Sequence, residues 1–403
     1  MRGYAAVTGA YWAFMLTDGA LRMLVLLHFH ELGFTPVQLA GLFVFYEIAG
    51  IVTNLTAGWL AARFGLALTL HLGLGLQIAA LVALTRLDAT WALATSVLFV
   101  MLVQGASGVA KDLAKTASKS AVKLLAPEGQ GLFRWVAALT GSKNAVKGLG
   151  FFVGAGLLAI AGFVPALWIM AAMLTVVLVS VLAFLPKDLS ARDATAKFTE
   201  MISPDPRINW LSAARLFLFG ARDVWFVVAL PIWLHTTLTA TTGIEAREAF
   251  FVVGGFMAIW IIGYGGVQAA TPKLVRQGSV GKASGAALVL ATLPVALAAY
   301  LWTGGTAAWP VLAGLLVFGV VFAVNSSLHS FLILDFAKSA RVTRDVGFYY
   351  MANAGGRLLG TVLSGICYQL GGLALSLAVS AAMVLLSAAA LRPIAAEGPS
   401  PQH

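Results

Sequence analysis

Charged residues lie inside apolar segments that are long enough to cross a membrane, and the basic ones are more numerous. Asp18 and Arg22 stand one helical turn apart in the first segment. Arg215 and Arg222 stand two turns apart on one face of the seventh, and Arg357 lies in the eleventh. A charge at the centre of a bilayer costs at least about 2.5 kcal/mol, so these residues should face a partner or a wet cavity. The pattern predicts either an internal ion-pair network, with Asp18 and Arg22 as one pair, or a binding site for an anion.

Lysines follow in the fourth and fifth apolar segments. Lys111, Lys115 and Lys119 fall on one helical stripe of about 80° at 100° per residue. Lys143 and Lys147 stand one turn apart. Lysines with few acids nearby repel one another, which favours an anion as the missing counterion. We expect Lys119 and Lys123 at the cytoplasmic rim, whereas Lys143 and Lys147 line either a cavity or that rim.

Four carboxylates accompany these cations within the apolar segments: Asp18, Glu47, Asp112 and Asp223. A buried carboxylate can take up a proton and so couple export to a proton gradient. It can equally neutralise a nearby lysine or arginine. The sequence leaves both roles open for each of the four.

Polar side chains in the tenth and eleventh segments, Asn325, His329, Tyr349, Tyr350 and Asn353, bind either substrate hydroxyls or a neighbouring helix. The predicted substrate-binding set is therefore Arg22, Lys111, Lys143, Lys147, Arg215, Arg222, Tyr350, Asn353 and Arg357.

The composition excludes a water-soluble fold. Of the 403 residues, 60% are hydrophobic and only 10% are charged, whereas soluble domains average roughly a quarter charged residues. The first apolar run is of span length and lacks a cleavage site, so we expect it to remain as the first span. The net charge of +10 is expected in cytoplasmic loops rather than on a nucleic-acid interface.

No cofactor is expected. The single cysteine, Cys367, cannot form an intramolecular disulfide or a thiolate cluster for a metal. No GxxxxGK[ST] phosphate loop is present to bind ATP. A membrane enzyme is the alternative from another class, but neither a paired-histidine metal motif nor a nucleophile motif is found.

Apolar runs separated by polar, glycine or proline breaks predict an all-α integral membrane protein with about twelve spans. The predicted spans are 5–30, 37–62, 66–86, 91–113, 131–160, 163–185, 208–235, 247–270, 281–302, 309–335, 344–368 and 372–391. Glycines of the fifth span, Gly148, Gly150, Gly154 and Gly156, are expected to allow close helix packing.

A polar stretch divides the spans into two groups of six. The predicted organisation is an N-terminal bundle over 1–186, a cytoplasmic connector over 187–207, a C-terminal bundle over 208–392 and a cytoplasmic tail over 393–403. Gly19-Ala-Leu-Arg22 aligns with Gly220-Ala-Arg-Asp223 as a weak internal repeat. With both termini in the cytoplasm, the outer loops carry only Arg86 and Arg247, as the positive-inside rule requires.

Four strings of residues carry a resemblance to a known family: 11–36, 107–125, 139–152 and 213–231. They are similar to segments of the organoarsenical efflux permeases of ArsJ type, within the major facilitator superfamily. The similarity extends over about residues 11–392. The loop after the second span, Gly58 to Gly65, also resembles the superfamily's loop signature, but Ala62 replaces its acidic residue.

The resemblance implies two six-helix bundles around a central cavity and export of 1-arseno-3-phosphoglycerate by alternating access. Glyceraldehyde-3-phosphate dehydrogenase would supply this ester from arsenate, so the pair would confer arsenate resistance. The implied transporter is a multi-pass protein of the inner (plasma) membrane, acts as a monomer and binds no nucleic acid. The alternative is an exporter or exchanger of another organic phosphate or carboxylate.

The charges inside the spans fit a substrate that is anionic at both ends. Arginine binds tetrahedral oxyanions through paired charge-assisted hydrogen bonds, and lysine supplies a mobile point charge. We expect Arg22, Lys143 and Lys147 to bind one end of the substrate. The other end is expected on Arg215, Arg222 and Arg357, and the sequence does not say which end each set binds.

Overall fold

The computed structural model describes residues 2–88, 90–125, 131–184, 203–275, 278–337 and 342–396. Throughout this part of the chain, the secondary structure is helical. The helices are α1 (Arg2–Glu31), α2 (Pro36–Gly41), α3 (Val44–Phe64), α4 (Leu66–Leu84), α5 (Leu93–Leu125), α6 (Gly131–Ala161), α7 (Phe163–Phe184), α8 (Pro206–Phe226), α9 (Ala229–Thr242), α10 (Ala246–Leu274), α11 (Val280–Trp302), α12 (Ala308–Phe336) and α13 (Val342–Ala396).

Eleven segments of the described chain are long and apolar enough to span a membrane. The last of them, Asp345–Ala395, has 51 residues and would be about 77 Å long as one helix, far more than a bilayer core of ~30 Å. It is two helices, because Gly371 and Gly372 have non-helical backbone angles and Gly372 has φ of 63°. Dividing it there agrees with the twelve predicted spans and confirms the all-α membrane fold.

Two other spans are interrupted near their middle or start. The second span runs through α2 and α3 with a short break at residues 42–43, and the seventh runs through α8 and α9 with a break at 227–228. At the second break, the backbone N–H groups of Val228 and Ala229 both donate to Ser364 Oγ at 3.1 Å. The serine thereby satisfies donors that the interrupted helix leaves without a carbonyl partner.

The chain divides into two compact units. Unit 1 comprises 1–34, 41–198 and 238–262, and unit 2 comprises 35–40, 199–237 and 263–403. Helix α10 contributes to both. Most of the predicted connector, 187–202, lies outside the described residues, as do the tail beyond 396 and the side chains of Lys119 and Lys123.

In unit 1, α1 packs closely against α6 through small residues. A Cβ built on Gly19 would lie 2.5 Å from the backbone oxygen of Lys147, and Gly150 and Gly154 lie equally tightly against α1. Gly148 and Gly156 face α10 instead, next to Ala258 and Phe251. The predicted packing role of the α6 glycines is confirmed, with two of them on each face.

Replacing Gly154 by valine is expected to destabilise unit 1, because any Cβ there would overlap the backbone of Ala20. Overpacking of this kind costs about 1–3 kcal/mol or more. Thermal unfolding of the detergent-purified protein would measure it. Gly75→Ala is the control, since a Cβ at Gly75 meets no atom within 4 Å; equal unfolding temperatures for the two variants would contradict the packing role.

In unit 2, glycines likewise allow α8 to pack closely against α13. A Cβ on Gly220 would lie 3.0 Å from the Gly356 oxygen, and one on Gly360 would lie 2.6 Å from the Gly220 oxygen. Gly220 is the residue that the sequence repeat aligns with Gly19. Each glycine therefore allows the first helix of its sequence half to approach another helix closely, and each stands beside charged residues.

Candidate functional site

Unit 1 contains a buried carboxylate, Asp18, held by two partners from other helices. Tyr46 donates its hydroxyl hydrogen to Oδ1 at 2.5 Å, and Lys147 Nζ lies 2.6 Å from Oδ2. Lys147 reaches Asp18 because the contact between Gly19 and the Lys147 backbone brings α1 and α6 together at this level. The result is a three-helix contact among α1, α3 and α6.

Arg22 has a different partner from the one that its spacing predicted. Its Nη2 lies 2.9 Å from Glu47 Oε1 on α3, and its guanidinium lies over the rings of Phe43 and Tyr46. The predicted pair of Asp18 with Arg22 is not among the ion pairs of the described residues, and that part of the network prediction was wrong. Asp18 and Arg22 each form an ion pair with a residue of another helix, and not with each other along α1.

Asp112 is the third buried carboxylate of unit 1. It accepts hydrogen bonds from Lys115 and from Thr53 Oγ1, the latter at 2.6 Å. Lys111 Nζ lies 3.9 Å from the same carboxylate and 4.1 Å from the centre of the Tyr46 ring. Two of the three lysines on the predicted stripe therefore converge on one aspartate.

The charges of this cluster nearly cancel. Four cations, Arg22, Lys111, Lys115 and Lys147, stand against three carboxylates, Asp18, Glu47 and Asp112, which leaves one net positive charge. Lys143 is partly buried one turn before Lys147. Of the two roles that the sequence left open for these carboxylates, the structure shows the neutralising one: Asp18, Glu47 and Asp112 each pair with a basic side chain.

Unit 2 contains an arginine in a different setting. Arg215 is 4% exposed, and its polar contacts are to neutral groups. Nε donates to Asn353 Oδ1 at 3.0 Å. Nη1 donates to the backbone carbonyl oxygen of Ser326 at 2.9 Å and to the side-chain Oγ of the same residue at 3.1 Å. The guanidinium also lies 4.0 Å from the centre of the Phe219 ring and 5.1 Å from that of Tyr349. Within the described part of the chain, no carboxylate pairs with it.

Arg222 lies two turns further along α8 and shares the Phe219 ring. Its guanidinium is 4.9 Å from the Phe219 centroid and 5.6 Å from that of Phe322. It pairs with the adjacent Asp223 at 2.6 Å, and Arg357 Nε lies 3.6 Å from the other oxygen of Asp223. Two arginines thus share one aspartate, and Arg215 lies two turns before Arg222 on the same helix.

The structure brings most of the predicted unit 2 residues together. Asn353 and Arg357, one turn apart on α13, face the Arg215 and Asp223 side of α8. Tyr350 is 45% exposed and packs against Tyr349, and no described contact joins it to an arginine. Four contributors were not in the predicted site: Ser326, Phe219, Tyr264 and Gln268.

These four were missed because their own sequence context is unremarkable for a membrane helix. Tyr264 and Gln268 lie one turn apart on α10 and come within 3.4 Å and 3.5 Å of Ser326 Oγ. The one available signal was periodicity: Phe219 lies at i+4 from Arg215 and at i−3 from Arg222, on the same helical face.

The chain is similar to known membrane transporters in both sequence profile and fold. The sequence profile described as Major Facilitator Superfamily matches residues 7–338. The chain is similar to the crystal structure of nucleoside transporter NupG, with a TM-score of 0.74 and 15% identity over 98% of this chain and 99% of that chain. It is also similar to the crystal structure of a POT family transporter in complex with 5-aminolevulinic acid, with a TM-score of 0.73 and 14% identity over 98% of this chain and 96% of that chain. A search of curated proteins found no match.

Proposed function

Because the chain belongs to the major facilitator superfamily of membrane transporters, we propose that it is a secondary-active exporter of an anionic metabolite. The proposed substrate is 1-arseno-3-phosphoglycerate, moved by alternating access. The resemblance of the strings at 11–36, 107–125, 139–152 and 213–231 to organoarsenical efflux permeases supports this substrate.

The main support for an anionic substrate is that Arg215 is buried and has only neutral hydrogen-bond partners among the described residues. A buried guanidinium remains charged, and removing it from water is costly unless an anion or several hydrogen bonds compensate. Asn353 and Ser326 supply neutral acceptors but no charge. An anionic ligand would neutralise the buried positive charge of Arg215. It would bind strongly there because it would not have to displace a carboxylate of the protein.

The arginines beside Asp223 favour a ligand with more than one negative charge. Arg222 and Arg357 approach the two oxygens of the same Asp223 carboxylate, so two guanidinium groups share one internal anion. A phosphate or arsenate ester carries diverging oxygens that two guanidinium groups can contact from different sides. The 1-arseno-3-phosphoglycerate molecule has such an anionic group at each end.

The expected contribution of unit 1 is revised by its ion pairs. Arg22 and Lys147, proposed to bind one end of the substrate, already have Glu47 and Asp18 as partners. A ligand would have to compete with these carboxylates. We therefore assign the first contact with the anion to the unit 2 arginines. Lys111, whose Nζ lies 3.9 Å from the Asp112 carboxylate, and Lys143 remain predictions from the sequence.

The cellular setting belongs to the same proposal. The chain would lie in the inner membrane with both termini in the cytoplasm, since that orientation places most loop lysines and arginines on the inner side. It would act as a monomer, and a glyceraldehyde-3-phosphate dehydrogenase would supply the substrate. The paired arrangement would confer arsenate resistance without any need for the transporter to recognise arsenate itself.

Expression of the transporter together with the dehydrogenase is expected to lower cellular arsenic in arsenate-treated cells that lack other arsenic exporters. Neither protein alone should lower it, because one makes the ester and the other moves it. Elemental analysis of washed cells measures the retention. Unchanged arsenic in cells that contain both proteins, with the transporter present in the membrane fraction, would contradict the substrate.

A competition series identifies the alternative substrates. In vesicles loaded with labelled 3-phosphoglycerate, excess sugar phosphate or dicarboxylate should compete weakly if a phosphoglycerate ester is the substrate. Strong competition by either would instead assign the chain to transport of another organic phosphate or carboxylate.

A further inference from the structure

Two polar side chains of α12 are fully buried in unit 2 and have no hydrogen-bond partner among the described residues. Asn325 and His329 are both 0% exposed. Neither amide atom of Asn325 and neither ring nitrogen of His329 has a partner. Buried polar groups nearly always make a hydrogen bond, and leaving one unmade costs about 1–3 kcal/mol. Two adjacent exceptions on one helix therefore need an explanation.

His329 lies on the face of α12 that contacts the arginines. At 100° per residue, Phe322, Ser326 and His329 fall within an arc of about 60°. Phe322 packs against Phe219 with ring centroids 5.2 Å apart, and Ser326 binds Arg215. His329 continues this strip by about one turn beyond Ser326.

The free hydrogen-bonding capacity of Arg215 is limited to one nitrogen. Asn353 occupies Nε, and Ser326 occupies Nη1. Nη2 donates to no acceptor in the described chain. The paired-nitrogen fork that binds a planar carboxylate is therefore already in use. A ligand oxygen can contact Nη2 from one direction and needs a second donor from another.

His329 can supply that second donor. A fully buried imidazole beside an arginine is expected to be neutral, since an additional unpaired cation would be costly there. A neutral imidazole offers one N–H donor and one acceptor nitrogen. It matches a ligand that presents an anionic oxygen next to a hydroxyl group, as hydroxylated organic phosphates do.

We propose that His329, together with Nη2 of Arg215, binds the oxyanion and a neighbouring hydroxyl of the substrate and so selects hydroxylated organic phosphates. This inference rests on the proposed function and adds a specificity residue to it. Asn325, one turn before His329, lies at the edge of the same face and can accept or donate a further hydrogen bond to the ligand.

Binding of two probes to the purified protein tests the role of His329. The probes are 3-phosphoglycerate and 3-phosphopropionate, which lacks the 2-hydroxyl, and isothermal titration calorimetry measures both. The wild-type protein should prefer 3-phosphoglycerate by about tenfold, the size of one hydrogen bond. His329→Phe should lose that preference and bind 3-phosphoglycerate about tenfold more weakly, whereas His329→Gln, which keeps a donor and an acceptor, should retain part of it.

His71→Phe on α4 is the matched control, because His71 is another histidine in a span with a ring nitrogen that lacks a partner. It should bind both probes as the wild type does. An unchanged hydroxyl preference in folded His329→Phe would overturn the inference and leave the proposed function intact. If His329→Phe does not fold, the same comparison applies to His329→Leu, which also removes both ring nitrogens. A wild-type protein that binds neither probe would overturn both proposals.

Discussion

Replacing Arg215 by methionine is expected to weaken binding of 3-phosphoglycerate by at least about 30-fold, because a hydrogen-bonded charge contact in a buried site contributes about 2–5 kcal/mol. Methionine has a similar length and packs against Phe219, but it has neither charge nor donors. The protein should still fold, since removal of a buried cation without a carboxylate offsets the loss of its bonds to Asn353 and Ser326. Calorimetry with the detergent-purified variant measures the loss.

Arg207→Met is the control on the same helix. Arg207 lies at the first turn of α8, where it pairs with Asp205 at 3.0 Å near the surface, so its loss should leave binding within about twofold of wild type. Arg215→Lys adds a milder change, since the charge remains but one ammonium cannot keep the contacts of both Nε and Nη1. Normal binding by Arg215→Met would remove the main argument for an anionic substrate.

The spans could be predicted from the sequence because hydropathy and length decide them. A bilayer core of ~30 Å fixes the number of apolar residues per helix, and interruption at Gly371 and Gly372 separated the last two spans as expected. The break within the seventh span at residues 227–228 was not predicted. Its sequence is continuously apolar, and the compensating hydroxyl of Ser364 comes from another span.

The members of the charged clusters could also be predicted, but their partners could not. Spacing along one helix indicates which residues share a face, and it suggested Asp18 with Arg22. The actual partners depend on where two helices approach most closely. Gly19 and Gly150 set that point for α1 and α6 and bring Lys147 to Asp18, and a short polar string in a single sequence does not reveal which glycine meets which.

The two units differ in how their buried charges are compensated. In unit 1, each of Asp18, Glu47 and Asp112 has a basic partner on its own or a neighbouring helix. In unit 2, Arg215 has neutral partners, and Asp223 is shared by two arginines. Internal ion pairs neutralise charge without a ligand, whereas the hydrogen bonds of Arg215 leave its positive charge unneutralised until an anion binds. Unit 2 is therefore where we propose that the anionic substrate binds.

Breaking the pair of Asp18 and Lys147 is expected to cause the largest loss of stability among single substitutions in unit 1. Asp18→Asn keeps the size and can still accept from Tyr46, but it leaves the Lys147 ammonium without its carboxylate at 2.6 Å. Removing one partner of a buried pair costs about 3–5 kcal/mol. Unfolding in mixed detergent micelles measures the apparent free energy.

The double variant Asp18→Asn, Lys147→Met separates a structural pair from a substrate contact. If Lys147 chiefly neutralises Asp18, removing both charges restores much of the lost stability, and the double-mutant cycle gives a coupling energy of at least about 1 kcal/mol. The pair of Asp205 and Arg207, which is more exposed than that of Asp18 and Lys147, is the control, with coupling below about 1 kcal/mol. Additive costs within about 0.5 kcal/mol, together with weaker phosphate binding in Lys147→Met alone, would instead return Lys147 to the substrate site, because its ammonium would then interact with a ligand and not chiefly with Asp18.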